Sequence, residues 1–155
     1  MRVETTDNRG IERSVLTVAT VTSFLGPFML SAVNVALPVI QQDLAANAVE
    51  LSWIATSYLL ATAVCLVPVG RIADIHGRKR VFILGLIVFT LSNCLTLFVH
   101  SIGFFICLRV LQGAGAAMTV TTGMAIVTSV FPPQRRGKAI GIYVAAVYVG
   151  LSAGA

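Results

Sequence analysis

Charge is scarce in this sequence. Only 11% of its 155 residues are Asp, Glu, Lys or Arg, whereas 57% are hydrophobic, and the mean hydropathy is +0.91. A soluble domain is about one quarter charged and about half apolar. The composition therefore argues against an ordinary water-soluble domain and predicts a chain that folds in lipid.

Cysteines and histidines are also few, and neither forms a metal-binding or disulfide pattern. Cys65, Cys94 and Cys107 all lie inside apolar runs, without a CxxC pair, and their odd number argues against a disulfide framework. His76 and His100 are predicted on opposite sides of the membrane, so they cannot share a metal. We predict no metal, no cofactor and no enzymatic activity, because no nucleophile–base set is visible.

The net charge of +5 does not indicate nucleic-acid binding. The eleven Lys and Arg residues sit in short clusters between apolar runs and do not form one basic face. A nucleic-acid partner needs such a face or stripe. We therefore expect the lipid bilayer, and not a nucleic acid, to surround this chain.

Five apolar runs predict an all-α integral membrane bundle with five transmembrane helices, since roughly 20 apolar residues cross the hydrocarbon core. The first run is too long for the apolar region of a cleaved signal peptide. Gly26-Pro27 predicts a kink, and Pro38 is expected to close the first span. The spans follow a cytoplasmic tail at 1–13 and are expected at about 15–39, 51–70, 81–99, 102–128 and 139–155.

The positions of the cations predict the topology. Three Lys or Arg residues lie in the tail, four in the second link and three in the fourth, whereas the first and third links have none. The positive-inside rule then places the N-terminus and the even-numbered links in the cytoplasm. We expect a multi-pass protein of the plasma (inner) membrane.

The loop Gly70–Arg80 holds five of the seventeen formal charges. Gly77 permits a tight turn. Asp74 is expected to pair with Arg78 or to accept hydrogen bonds from a helix N-terminus, which would let it latch two helical units in one state. The alternative is a solvated surface pair that contributes little. We take Gly70, Asp74, Gly77, Arg78 and Lys79 as a candidate conformational gating loop.

Arg109 is the one Asp, Glu, Lys or Arg residue inside a predicted span. It lies roughly 10 Å below the outer edge, at about 1.5 Å per residue from Ile102. A charge there is costly and should face a bundle interior or a water-filled cavity, unless the side chain snorkels to the interface. Gln112 follows at i+3 on the same helix face. Asn34, in the first span, either makes a cross-helix hydrogen bond or contacts a ligand.

Small residues predict close helix packing at two places. Gly113 and Ala117 form a small-xxx-small ridge. Gly150 and Gly154 would also let another helix approach closely, and we expect that helix to lie outside this chain. The chain is therefore interpreted as the N-terminal piece of a larger bundle, whose missing helices come from further residues or from another polypeptide.

Three motifs, in the expected loops and at matching spacing, resemble the major facilitator superfamily, and most closely its fourteen-span drug:proton antiporter branch. Residues 70–80, GRIADIHGRKR, resemble the G-x-L-A-D-x-x-G-R-K-x motif between spans two and three. Residues 109–117, RVLQGAGAA, resemble the span-four motif R-x-x-Q-G-x-G-A-A. Residues 34–38, NVALP, resemble the end of span one.

The resemblance implies six-span halves around a midplane cavity that is exposed alternately to the two sides. It implies that Asp74 and Arg78 belong to a cytoplasmic latch between the halves, and that Arg109 belongs to a buried network linked to proton coupling. It also implies a small-molecule substrate, drug-like or a metabolite, that is exported by secondary active transport.

The sequence departs from the antiporter pattern at two positions. Met29 stands where the branch usually has an aspartate, and no acid lies inside any predicted span. Ala155 stands where the span-five motif has a proline, after a matching Gly150 and Gly154. Proton coupling through the first span is therefore not expected from this chain.

Two other classes remain open. A non-transporting membrane scaffold or subunit would use the loops and small residues only for helix association, and it would tolerate replacement of Asp74 and Arg109. A membrane enzyme would need a reactive set that we do not find. We expect no transport by the isolated chain, since it cannot form a two-sided cavity.

Overall fold

The computed structural model describes the backbone of residues 3–154 and the side chains of residues 10–43 and 45–154. This part of the chain forms five α-helices and no strand, which confirms the predicted all-α class. The helices are α1 (Val3–Leu44), α2 (Ala48–His76), α3 (Arg78–Thr96), α4 (Ile102–Val130) and α5 (Pro133–Ala153).

Local signals explain where the helices begin and end. Asn47 and Glu50 form a reciprocal capping box at the start of α2, each accepting a backbone N–H from the other at 2.9 Å. Ser101 caps α4. Proline begins α5, where its missing N–H costs nothing. Ala45, with φ +49°, lies just after the last residue of α1.

The first helix is longer than the first predicted span. It already begins at Val3, so residues 3–13 of the predicted tail continue the helix, although the charged side chains of residues 1–9 lie outside the described residues. Pro38 was expected to close the span, but α1 continues past it to Leu44. A long apolar helix tolerates proline because neighbouring groups re-satisfy the one freed carbonyl.

Four of the five described helices, α1 to α4, are long and apolar enough to cross a membrane. The fifth does not reach that standard, because Arg135, Arg136 and Lys138 occupy its first two turns. The predicted fifth span at 139–155 therefore stays a prediction. The third helix ends at Thr96, three residues before the predicted end of its span.

Helix α4 is the centre of the bundle. It contacts all four other helices, and half of its apolar stretch is buried, against 6% for α1. Its two largest contacts are with α2 and α3, whereas α1 packs mainly on α5. Helices α2 and α4 are parallel, because Ile54 contacts Arg109 and Tyr58 contacts Gly113. Helices α1 and α5 are parallel as well, because both Gly150 and Gly154 lie against residues of α1 in the same order.

This up-and-down arrangement separates the charges. The described Lys and Arg side chains other than Arg109 lie at one end of the bundle, in the α2–α3 corner, around the start of α5 and near the start of α1. Asp43 and Glu50 lie at the opposite end. The alternation of cations along the sequence therefore corresponds to one basic end, called the basic end below.

Candidate functional site

Arg109 lies in the interior of the bundle, on the face of α4 that meets α2. Its side chain is 1% exposed, so it does not snorkel to a surface. Its Nε donates to the backbone oxygen of Ile54 at 3.1 Å, and Nη1 donates to Oε1 of Gln112 at 2.9 Å. The guanidinium carbon lies 4.9 Å from the ring centroid of Tyr58, within cation–π range.

Gln112 extends this cluster to α3. Its Nε2 donates to Oγ1 of Thr96 at 3.1 Å and to the backbone oxygen of Ser92 at 3.5 Å. The i+3 spacing does place Arg109 and Gln112 on one face, as the sequence indicates. The polar cluster of Arg109, Gln112, Tyr58 and Thr96 thus joins α2, α3 and α4.

The positive charge of Arg109 has no acidic partner among the described side chains. Its Nη2 is buried and makes no hydrogen bond there. Met29, which stands at the position expected to hold an acid, packs against the apolar cluster of Tyr58, Phe89 and Ala116. A methionine beside that tyrosine leaves the arginine without a counter-ion from α1.

Asn34 does not belong to this cluster. Its side chain is exposed, and the hydrogen bonds of Arg109 and Gln112 go to other groups. We predicted one intramembrane network of Asn34, Arg109 and Gln112. The described bundle does not bring Asn34 to the other two residues. The cause is the rotation of α1, which turns this face of the helix outward.

The α2–α3 corner contains the second candidate site. Gly77 has φ +94°, a conformation that L side chains rarely adopt, and it joins the two helices without a loop. The turn brings Nη2 of Arg78 to 3.2 Å from Oδ1 of Asp74, and both side chains are largely exposed. Lys79 is exposed as well, whereas Gly70 lies further back, facing Thr121 on α4.

The predicted packing residues lie at close helix contacts. A Cβ on Gly113 would lie 2.5 Å from the backbone oxygen of Tyr58, and Ala117 is fully buried. Gly150 and Gly154 lie against Phe24 and Phe28 of α1. We expected the helix that contacts these glycines to lie outside this chain. That expectation was wrong, because α1 packs against α5.

Sequence reasoning missed the close contact between α3 and α4 and the role of Tyr58. Gly85 and Gly115 face each other there, and a Cβ on either would meet the backbone of the other helix. A glycine in the middle of an apolar run was the available signal for Gly85. Nothing in the sequence indicated which aromatic ring would cover Arg109.

A cavity of about 260 Å³ is lined by residues of all five described helices. Its walls are mostly apolar, with a few hydroxyl groups. The residues that line it include Pro27, Leu30, Tyr58, Thr119 and Tyr143. Tyr58 therefore lines this cavity and also contacts Arg109.

The geometry can be compared with known proteins. The family profile described as Major Facilitator Superfamily matches residues 19–155, which is most of the chain. The chain belongs to the Major Facilitator Superfamily. Together with the four long apolar helices, this membership indicates a multi-pass membrane protein.

Relatives in this superfamily carry transporter names. The chain is 39% identical to the cephamycin export protein CmcT of Amycolatopsis lactamdurans over 142 residues, 91% of this chain and 29% of that protein. It is 31% identical to the riboflavin transporter RibZ of Clostridioides difficile, over 90% of this chain and 31% of that protein. The multidrug resistance protein Stp of Mycobacterium tuberculosis is 36% identical, over 84% of this chain and 25% of that protein. The chain thus spans less than one third of these relatives' length.

A solved structure shows the same fold. The chain superposes with a TM-score of 0.81 on a bacterial homolog of the human lysosomal transporter Spinster, in an inward-facing and unoccupied conformation. The identity is 23%, and the match covers 90% of this chain and 29% of that protein. This similarity confirms the helical arrangement of a major facilitator protein.

Proposed function

We propose that this chain forms part of a secondary transporter that exports small drug-like or metabolite molecules across the plasma membrane. Family membership supports the proposal, and so do the names of two relatives, an export protein and a multidrug resistance protein. The basic end is proposed to face the cytoplasm, with the N-terminus inside, because the positive-inside rule favours that orientation.

The single observation that carries the proposal is the buried charge of Arg109. A charged side chain within a span costs about 2.5–3.5 kcal/mol on insertion scales, and a chain that served only as a scaffold has no need of a charge there. Its Nη2, which has no partner among the described residues, is a donor that a substrate, a proton-carrying group or a further helix can engage. Arg109 and Gln112 are therefore proposed as parts of the coupling or substrate network, and the exposed Asn34 as a contact outside the bundle.

The α2–α3 corner is proposed as the gate. The Asp74 side chain is 67% exposed, so its carboxylate keeps free acceptor sites beside the bond to Arg78. A carboxylate at the basic end can then accept hydrogen bonds from a helix that approaches in one state and withdraws in the other. Lys79 adds an exposed cation to the same corner.

Transport is proposed to require helices beyond these 155 residues, supplied by a longer reading frame or by another polypeptide. The alternative is a membrane scaffold that acts by helix association alone, which the tight glycine contacts also permit. Proton coupling through the first span is not proposed, because Met29 cannot carry a proton.

Export measurements in a bacterial strain without its major efflux pumps test the proposal. The chain is expressed alone and as the longest reading frame that contains it, and accumulation of a panel of fluorescent drug-like molecules is followed. We expect lower accumulation with the longer frame, loss of that effect with Arg109→Met and with Asp74→Asn, and little change with the exposed-site control Arg80→Gln.

Three outcomes would each contradict a part of this proposal. Unchanged accumulation of every molecule with the longer frame favours the scaffold. Full export by both Arg109→Met and Asp74→Asn, at equal membrane levels of protein, would show that neither site takes part. Export by the 155-residue chain alone would show that the described bundle needs no second half.

A further inference from the structure

A cavity of about 620 Å³ opens at the basic end, between the start of α1 and the first turns of α5. One wall is apolar, and two of its members, Phe131 and Ala139, belong to the buried core. Exposed cations form the rim. The apolar wall consists of Leu16, Phe131, Ala139 and Ile142, and the cations are Arg13, Arg135 and Lys138.

The rim has an excess of positive charge. Glu12 is the only acid among the described residues that line the cavity, and its Oε2 lies 3.7 Å from Nη1 of Arg135. Within residues 10–43 and 45–154, Arg13 and Lys138 have no acidic partner. The N-terminus of α5 lies at the same place without a side-chain cap, and its dipole adds partial positive charge.

A second cavity of about 470 Å³ adjoins the first and shares Glu12 and Phe131 with it. Arg136 lines this second cavity, and its Nε is buried without a hydrogen-bond partner among the described residues. Its Nη2 donates to the backbone oxygen of Phe131 at 3.4 Å. The buried Nε is costly unless a polar group other than those of the described residues reaches it. The region therefore combines unpaired cationic groups with an apolar wall.

We infer that this cavity binds the headgroup of an anionic phospholipid. The phosphate would lie at the rim formed by Arg13, Arg135 and Lys138, and the glycerol and upper acyl carbons along the apolar wall. A small free anion would contact only the cations at the rim, whereas an amphiphile would contact both the cations and the apolar wall. Basic pockets between the ends of membrane helices suit anionic headgroups, and the volume lies in the usual range for ligand sites.

The test is a binding measurement on the purified full chain in a neutral detergent. Native mass spectrometry follows titration with phosphatidylglycerol, with phosphatidylcholine of the same acyl chains, and with inorganic phosphate alone. We expect phosphatidylglycerol to bind at least tenfold more tightly than phosphatidylcholine, and we expect no saturable binding of inorganic phosphate in the same range.

Charge variants locate the site. Each cation near a headgroup contributes about fivefold to binding, so the double variant Arg135→Gln/Lys138→Gln should bind phosphatidylglycerol about 25-fold more weakly. Glu12→Gln should bind it about fivefold more tightly, because it removes the competing carboxylate. Both changes break the Glu12–Arg135 ion pair, so opposite shifts cannot come from loss of that pair.

The matched control is Arg71→Gln/Arg80→Gln, which removes the same charge from exposed positions at the same end. This control should keep its affinity within about twofold. Equal weakening by both double variants would show diffuse attraction and overturn the proposal. So would equal binding of the two lipids, a phosphate affinity that matches phosphatidylglycerol, or an unchanged affinity of Glu12→Gln.

Folding is checked by helix content and by elution volume in detergent. If the double variant fails these checks, the Glu12→Gln arm and the comparison of lipids still decide the question. The measurement does not depend on transport, so its outcome is separate from that of the export experiment.

Discussion

At the scale of single residues, Arg109 shows how a charge is held inside this bundle without an acid among the described side chains. Each of its two hydrogen bonds contributes about 1.5–3 kcal/mol, as is usual for bonds to a charged group. The ring of Tyr58 contributes up to about 2 kcal/mol in a desolvated site. Together these terms equal or exceed an insertion cost of about 2.5–3.5 kcal/mol, so the charge can stay inside the bundle.

This balance makes a prediction about the bond between Arg109 and Gln112. Arg109→Met should leave Oε1 of Gln112 without its donor, and Gln112→Met should leave a buried Nη1 unpaired. Each single variant should therefore lose stability, whereas the double variant should lose less than the sum. We expect a coupling of about 1.5–3 kcal/mol, measured by unfolding the four proteins in detergent micelles with increasing dodecyl sulfate.

A pair outside this cluster provides the control. Asp74→Asn combined with Arg78→Gln removes an exposed ion pair and should show a coupling below about 1 kcal/mol. Additive losses for Arg109→Met and Gln112→Met would mean that the hydrogen bond does not contribute to stability.

At the scale of the elements, α4 determines how closely the helices approach. It presents small residues on two faces, with Gly113 and Ala117 buried on one and Gly115 meeting Gly85 of α3 on the other. Lipid provides no hydrophobic driving force between helices, so their association depends on close packing of this kind. One helix can therefore hold neighbours on both sides.

The contact between Gly113 and α2 leaves no space for an added methyl group. In Gly113→Ala the new Cβ would lie 2.5 Å from the oxygen of Tyr58 and 2.9 Å from Cβ of Ala61, so the helices must separate. We expect a loss of about 1–3 kcal/mol, as for other overpacked sites. Thermal unfolding followed by circular dichroism in detergent measures it.

The matched control is Gly141→Ala on α5, where no atom of another described helix lies within 4 Å of the place that a new methyl group would occupy. A glycine in an open helix position costs about 0.5–1 kcal/mol relative to alanine, so this variant should gain stability. If both alanine variants gained stability, the helices α2 and α4 would pack more loosely than the 2.5 Å approach requires.

The element boundaries show what sequence could and could not predict. A tight turn at Gly77 was predictable from the glycine, but the expected loop over Gly70–Arg80 was wrong, because α2 continues to His76 and α3 already begins at Arg78. The continuation of α1 through Pro38 was not, because the local cost of proline depends on what surrounds the helix. The partner of Gly150 was also hidden, since a stripe of small residues does not say which helix will contact it.

At the scale of the whole molecule, the alternating directions of the helices place the described cations, apart from Arg109, at one end. This arrangement predicts the side of each connection. Alkaline phosphatase fused after His100 should be active outside the cell, and the same reporter fused after Lys138 should be inactive. Green fluorescent protein at the same two positions should give the reverse pattern, because it fluoresces only in the cytoplasm.

A cytoplasmic connection at His100 would contradict both the orientation and the positive-inside argument on which it depends. The helical bundle and its basic end could be predicted, because the lengths of the apolar runs and the positions of the cations can be read directly from the sequence. The contact of Arg109 with Tyr58 and with Ile54 could not, because it depends on the mutual rotation of two helices that are far apart in sequence.

The pairing of α1 with α5 has a consequence for biosynthesis. Roughly 90 residues separate these two helices, which at about 5–20 residues per second is a delay on the order of 5–20 s. During that interval α1 has only its smaller contacts with α2 and α4, and lipid or the insertion machinery must cover the face that α5 later contacts. Quality-control proteases would have their best access to α1 in that interval, before α5 packs against it.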